Sequence, residues 1–184
     1  MTTPGPDLVL AGLSQDGGVI SARRQLLARH GVSADPDAAF DTVAHRLAQE
    51  TGFPYAMVNF LLEQQHFAGL HNPDPDSGLP IVGRDMDPLH GWCPHVALRK
   101  LGLPLHNVHA SRLYSGNPVV DKIGINSYFG VPLLYPDTGI VLGTVCVIDQ
   151  QVHDVTEADD VLAIVEQAAA DVLADIRSRS PHPR

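Results

Sequence analysis

Residues 127–149, "SYFGVPLLYPDTGIVLGTVCVID", constrain this chain more than any other stretch. Two apolar runs flank the turn "PDTG", a pattern that reads as an antiparallel hairpin. Gly130 inside the first run marks a bulge or a close backbone approach. Pro132 has no N–H to give a ladder, so its strand lies at an edge or carries a bulge, unless the missing donor faces outward. Asp149 ends the second run, where its side chain can cap a turn. Upstream, "PYAMVNFLL" (54–62) and "QHFAGLH" (65–71) form a second pair of β-like runs joined through the polar "EQQ" region.

Helical patterns surround these hairpins. "DPDAAFDTVAHRLAQETG" predicts a helix with Asp35 as N-cap, Pro36 at its first position and Gly52 as its stop. Phe40, Val43, Ala44 and Leu47 fall on one face of it. "SARRQLLARHGV" predicts a shorter helix before it, and "CPHVALRKLG" a short helix in mid-chain. "NPDPDSGLPIVGRDMDP" is a long loop of the kind that often binds ligands. "LPLHNVHA" reads as a strand and "SRLYSGNPVVDKIGIN" as loop or broken helix. The final helix, "TEADDVLAIVEQAAADVLADIRSR", starts with a capping-box-like Thr156 and Asp159. Its stripe of Val161, Val165, Ala168, Val172 and Ile176, broadened by Leu162, Ala169 and Leu173, is wide enough to cover a sheet and meet a second helix. The order αα–ββ–α–β–α–ββ–α predicts an α+β domain over residues 21–179, with a flexible tail at 1–20 and a short tail at 180–184.

Charge and composition narrow the function. A formal charge of −9 argues against a nucleic-acid partner, since phosphate recognition needs clustered Lys and Arg and this chain has two lysines, Lys100 and Lys122. No apolar run approaches the ~20 residues of a membrane span, and the start has no signal-peptide pattern. Two separated cysteines, Cys93 and Cys146, do not make a disulfide framework. A cytoplasmic protein is expected, and the abundance of Arg and Ala over Lys fits a GC-rich bacterial coding sequence.

The element order, with "YFGVPL…GIVLGTVCVID" at 128–149, resembles the GAF domain family. "AMVNFLLEQQHFAGLH" looks like that family's first strand pair, and "WCPHVA" resembles its Cys-x-His segment before a short helix. In the last hairpin Gly130, Pro132, Gly143 and Asp149 match in order. The resemblance spans residues 36–176. It implies a central antiparallel sheet of five or six strands, terminal helices packed on one face and a small-molecule pocket on the other. It also implies a sensor or regulatory role and a homodimer formed through the terminal helices. With no output module read in the sequence, a signal would pass through that dimer or through a signalling partner.

The segment "HGWCPHVA" (90–97) concentrates the chemistry. His90, Cys93 and His95 offer three metal ligands at best where zinc wants four, so metal is the minority reading. The favoured reading puts Trp92, Cys93 and His95 at a pocket rim, with Tyr128 and Phe67 as aromatic walls. Asn59, the one polar side chain on a strand face shared with Tyr55, Met57 and Leu61, is a polar anchor there. Haem is disfavoured, because "GNPVVDKIGIN" has no histidine where haem-binding relatives carry theirs, and no cofactor is favoured. A thiol-dependent reductase of free methionine-R-sulfoxide is the alternative. Cys93 near a helix start has suitable electrostatics for it, but Cys146 sits in an apolar strand and the reductase cysteine pattern is not matched.

Overall fold

The computed structural model describes residues 16–179. The helices are α1 (Gly17–Arg29), α2 (Ala38–Thr51), α3 (Cys93–Arg99), α4 (Arg112–Ser115), α5 (Pro118–Ile123) and α6 (Ala158–Ser178). The strands are β1 (Tyr55–Leu61), β2 (Gln65–His71), β3 (Asp85–Met86), β4 (Leu103–Leu105), β5 (Ser127–Leu134) and β6 (Val141–Asp149). They form one antiparallel sheet in the order β3-β2-β1-β6-β5-β4. The α+β architecture and six-stranded sheet are those the sequence predicts.

β1 and β6 are buried at every position, so the sheet centre is covered on both faces. Strand alternation divides the core accordingly. Ala56, Val58, Phe60, Phe129, Val131, Val145 and Val147 pack with Phe40, Ala44 and Leu47 of α2 and with the apolar stripe of α6. Tyr55, Met57, Leu61, Tyr128, Cys146 and Ile148 face the other way, toward α3 and the middle loops. Full burial of an aromatic such as Phe40 contributes roughly 1.5–3 kcal/mol. α2 lies hard against β2, because a Cβ at Gly69 would overlap the carbonyl of Phe40.

Several local expectations shift. α1 begins at Gly17, capped by Asp16, so residues 17–20 belong to a helix and not to a tail; residues 1–15 and 180–184 lie outside the described residues. α2 is capped by Asp37, not Asp35: Asp37 accepts from the amides of Ala39 (2.8 Å) and Phe40 (3.4 Å), while Asp35 accepts from the Ser33 hydroxyl. Thr156 does not cap α6. Its amide and hydroxyl both donate to Asp154, which caps a 3-10 turn at Val155–Glu157, and α6 follows without a side-chain cap. Pro132 sits where the ladder tolerates it: β4 pairs only with Tyr128–Gly130, and the β5–β6 register shifts just after Pro132. The stripe on α6 is buried inside the chain, leaving Ala163, Glu166, Gln167, Ala170 and Ala174 on its exposed face. Among the described residues no helix is long and apolar enough to cross a membrane.

Asp37 also ties the two ends of the domain together, since Arg179 donates to it at 2.6 Å. That hydrogen bond, then the cap amide of Ala39, holds the Asp37 carboxyl below its ordinary range against the opposing effect of burial. A depressed carboxylate contributes stability above its unfolded pKa of about 4 and loses it as pH falls through the folded value. Asp37→Ala is therefore expected to cost about 1–2 kcal/mol at neutral pH. The difference from the parent chain should shrink below pH ~4, as urea unfolding at neutral and acid pH will show.

Candidate functional site

On the sheet face opposite α2 and α6, the loop from residue 72 to residue 92 and helices α3 and α5 close over β1, β5 and β6. They leave a cavity of about 260 Å³. Met57, Phe67, Tyr128, Cys146 and Ile148 rise from the sheet to line it, and Trp92 and Cys93 enter from the start of α3. Val82 and Met86 come from the loop, and Val119 and Ile123 from α5. At the rim stand the exposed side chains of Asp85 and Lys122; Asp85 accepts from or pairs with His66 Nδ1 at 2.7 Å.

The covering loop is fastened along its length. Arg84 grips Asp41 of α2 with two bonds of 2.9 and 3.0 Å and also donates to the carbonyl of Phe67. Asn72 and Val82 exchange two bonds of 3.0 Å across the loop. Asn117 does the same with Gly91: the Gly91 amide donates to Asn117 Oδ1 at 2.9 Å, and Asn117 Nδ2 donates to the Gly91 carbonyl at 2.7 Å. Gly91 turns the chain there with φ of 74°, a left-handed conformation that favours glycine. The Trp92 indole N–H donates to the Tyr114 carbonyl at 3.1 Å, which fixes the ring in the wall.

Beneath the apolar walls lies a buried polar floor, set by strand register. On the β1–β6 ladder Asn59 pairs with Thr144 and Met57 with Cys146. Asn59 Nδ2 donates to Gln65 Oε1 (2.8 Å), and Gln65 Nε2 donates to the carbonyls of Asp87 (2.8 Å) and His90 (2.6 Å). The two cysteines lie in the same floor, their sulfurs 3.9 Å apart. The Tyr128 phenol donates to Cys93 Sγ at 3.3 Å, and Cys146 Sγ is 3.8 Å from Met57 Sδ. Gly130 is what makes room for that phenol, since a Cβ there would overlap the ring and its oxygen. Asn59 Oδ1, Thr144 Oγ1 and Ser127 Oγ are buried without a hydrogen-bond partner, an unusual state for polar atoms.

The two thiols are not equivalent. The hydrogen bond from Cys146 lowers the Cys93 pKa, with Thr144, Tyr128 and Asn59 acting in the same direction against burial. Cys146 is pushed up by its bond to Cys93 and then by burial. Burial, then the neighbouring cysteines, raises the Tyr128 phenol. The Tyr128 phenol donates to Cys93, which favours the thiolate form there.

Of the residues singled out in the sequence, Trp92, Cys93 and Tyr128 line the cavity, as do His90 and Phe67. Asn59 lies in the floor, fully buried and bonded to Gln65. His95 points elsewhere, its ring edge-on to Tyr114 at 5.4 Å. Among the described residues no three of His, Cys, Asp and Glu converge to hold a metal ion, so His90, Cys93 and His95 do not form a ligand set. Thr144 and Gln65 escaped the sequence reading, and Cys146 was weighed there but set aside for its apolar strand. Thr144, Cys146 and Ile148 share a strand face by alternation, and Gln65 shares one with Phe67, so a face-by-face reading was the available signal. A second cleft of about 260 Å³ lies between α1, α3 and the hairpin tips. Its buried Arg23 is already engaged with the carbonyls of Val141 (2.8 Å) and Leu61 (2.9 Å), so it offers an incoming group little.

The GAF domain model matches residues 35–174. Among solved structures, the GAF domain of an Acinetobacter phosphoenolpyruvate-protein phosphotransferase superposes with a TM-score of 0.57 at 17% identity, covering 89% of this chain and 95% of that one. The corresponding domain from Coxiella burnetii gives 0.58 at 15%, covering 86% and 92%. Free methionine-R-sulfoxide reductase from Neisseria meningitidis, in complex with its substrate, gives 0.55 at 13%, covering 96% and 95%. These likenesses show the fold. No curated protein matches the sequence.

The thiol arrangement yields a test. Tyr128→Phe removes one donor to Cys93 and keeps the ring, so the Cys93 pKa should rise, read from ultraviolet thiolate absorbance against pH. Gly130→Ala should move it the same way by displacing the phenol, at a cost of about 1–3 kcal/mol in stability. A titration unchanged in both variants removes the phenol from any role in thiol ionisation.

Proposed function

The chain belongs to the GAF domain family, and on that premise we propose that it is a sensor domain binding a small ligand with an apolar body and an anionic end. The observation that carries this reading is the cavity itself. Its covering loop is held in place by reciprocal side-chain bonds, its walls are apolar, and Lys122 stands at its rim, where Asp85 is already engaged with His66. A pre-formed apolar site with few polar groups is the usual form of a small-molecule site, and its rigidity lowers the ordering cost of binding. The ligand enters beside Trp92 and touches α3 and α5. A change there is passed to a second copy of the chain or to a signalling partner at the terminal helices α1 and α6.

A specific observation also favours a second reading, reduction of free methionine-R-sulfoxide. Cys146 lies in the middle of an apolar strand, as the sequence indicates, yet its sulfur stands 3.9 Å from that of Cys93. A nucleophilic thiol and a partner able to resolve it are the minimum that such chemistry requires. The reductase from Neisseria meningitidis shares the fold.

Trp92 is the sole tryptophan and sits in the cavity wall, so its emission reports occupancy. Titration with octanoate and phenylpropionate is expected to shift that emission, and the matching neutral amides should bind about tenfold more weakly. Val119→Phe should crowd the cavity and abolish the response with an unchanged far-ultraviolet spectrum. Absence of any response in the parent chain, or retained binding in Val119→Phe, overturns the sensor reading. The reductase reading predicts turnover of methionine-R-sulfoxide with dithiothreitol, lost in Cys93→Ser.

A further inference from the structure

We propose that Cys93 and Cys146 form a redox site at the cavity floor that hydrogen peroxide oxidises to an intramolecular disulfide. The proposal goes beyond both functional readings, since it requires neither a bound carboxylate nor a sulfoxide.

Three observations meet at this place. The two sulfurs are in van der Waals contact at 3.9 Å, and both residues line the cavity, which gives a molecule as small as a peroxide a way in. The site is polarised. Cys93 receives the Tyr128 phenol at 3.3 Å, whereas Cys146 is held in the middle of β6. Buried polar atoms share the floor: Asn59 and Thr144 pair on the β1–β6 ladder next to the Met57–Cys146 pair, and Thr144 Oγ1 and Asn59 Oδ1 make no hydrogen bond of ordinary geometry. An oxygen carried on Cys93 could accept from the Thr144 hydroxyl, and its own hydrogen could be donated to Asn59 Oδ1. Unsatisfied buried groups of this kind are destabilising, so their presence beside a nucleophilic sulfur calls for an explanation, and an oxygenated intermediate supplies one.

The chemistry balances in two steps. The Cys93 sulfur attacks one peroxide oxygen; an S–O bond forms, the O–O bond breaks, and sulfur gives up two electrons. The thiol proton leaves with the other oxygen as water, and Cys93 becomes a sulfenic acid. The Cys146 sulfur then attacks the Cys93 sulfur. An S–S bond replaces the S–O bond, and the departing hydroxide takes the Cys146 proton as a second water. Two thiols and one peroxide have become one disulfide and two waters; a dithiol reductant reverses the oxidation. Bonding draws the sulfurs from 3.9 Å to about 2 Å, which pulls the start of α3 toward the sheet. Trp92, next to Cys93, moves with it and alters the cavity.

The test uses the reduced, ligand-free full chain treated with hydrogen peroxide, quenched with a thiol-alkylating agent and analysed by intact and peptide mass. Loss of two hydrogens, a Cys93–Cys146 cross-linked peptide, and a Trp92 emission change reversed by dithiothreitol are expected. Cys146→Ser should stop at a sulfenic acid on Cys93 that dimedone captures. Cys93→Ser should lose its remaining thiol at least about tenfold more slowly. The proposal is overturned if the parent chain gains oxygen on Met57 or Met86 without forming the bridge, forms only bridges between chains, or keeps both thiols. It is also overturned if Cys93→Ser reacts as fast as Cys146→Ser. Should either serine variant fail to fold, Tyr128→Phe, which retains both thiols, must slow bridge formation. Because no carboxylate is present, failure here leaves the ligand titration untouched, and failure of the titration leaves this result standing.

Discussion

The pairing of β1 with β6 is the contact on which the rest of this molecule depends. Both strands are buried at every residue, so neither face of their ladder can be left to water. α2 and α6 cover one face with a continuous apolar layer. The other face is covered by loops and short helices, which pack less completely than a pair of long helices, and the cavity lies where that cover falls short. The same register decides what the cavity floor contains. Asn59 opposite Thr144 and Met57 opposite Cys146 put two polar and two sulfur-bearing side chains in one patch.

The loop above this floor satisfies Gln65, although Asn59 Oδ1 and Thr144 Oγ1 stay unpartnered. Gln65 is the hinge of that arrangement: fully buried, it takes the Asn59 amide on one side and gives both its own hydrogens to loop carbonyls on the other. Leaving such groups unmet costs more than most single contacts gain, so the loop is drawn into one position by the sheet's own polar residues. Arg84 and Asn117 then hold its middle and its end. The rigidity of the cavity therefore originates in the strands as much as in the loop.

Much of this was legible in the sequence because it is local. The two hairpins declare themselves by turn residues between apolar runs, α2 stops at Gly52 as read, and alternation correctly puts Asn59 with Tyr55, Met57 and Leu61. Choices between near-equivalent neighbours were not legible: Asp35 and Asp37 both precede the same helix, and Arg179, distant in sequence, favours Asp37. Nor was the meeting of Cys93 with Cys146. β1 and β6 are joined by no turn, so their register follows only from the assembled sheet, and with it the neighbours of Cys146. The wide stripe on α6 was read as covering a sheet and meeting a second helix, and it does both, packing on β5, β6 and α2.

The edges of the sheet carry a consequence of their own. β3 is two residues long, and β4 is three with Pro104 at its centre, so neither margin presents a run of free backbone groups to another chain. Pairing of sheets edge to edge, the commonest route by which β-rich domains grow into aggregates, has almost no template here. The two strands buried at every residue, β1 and β6, lie farthest from either margin. Any assembly the domain enters must be read out through side chains, where a single substitution can tune it.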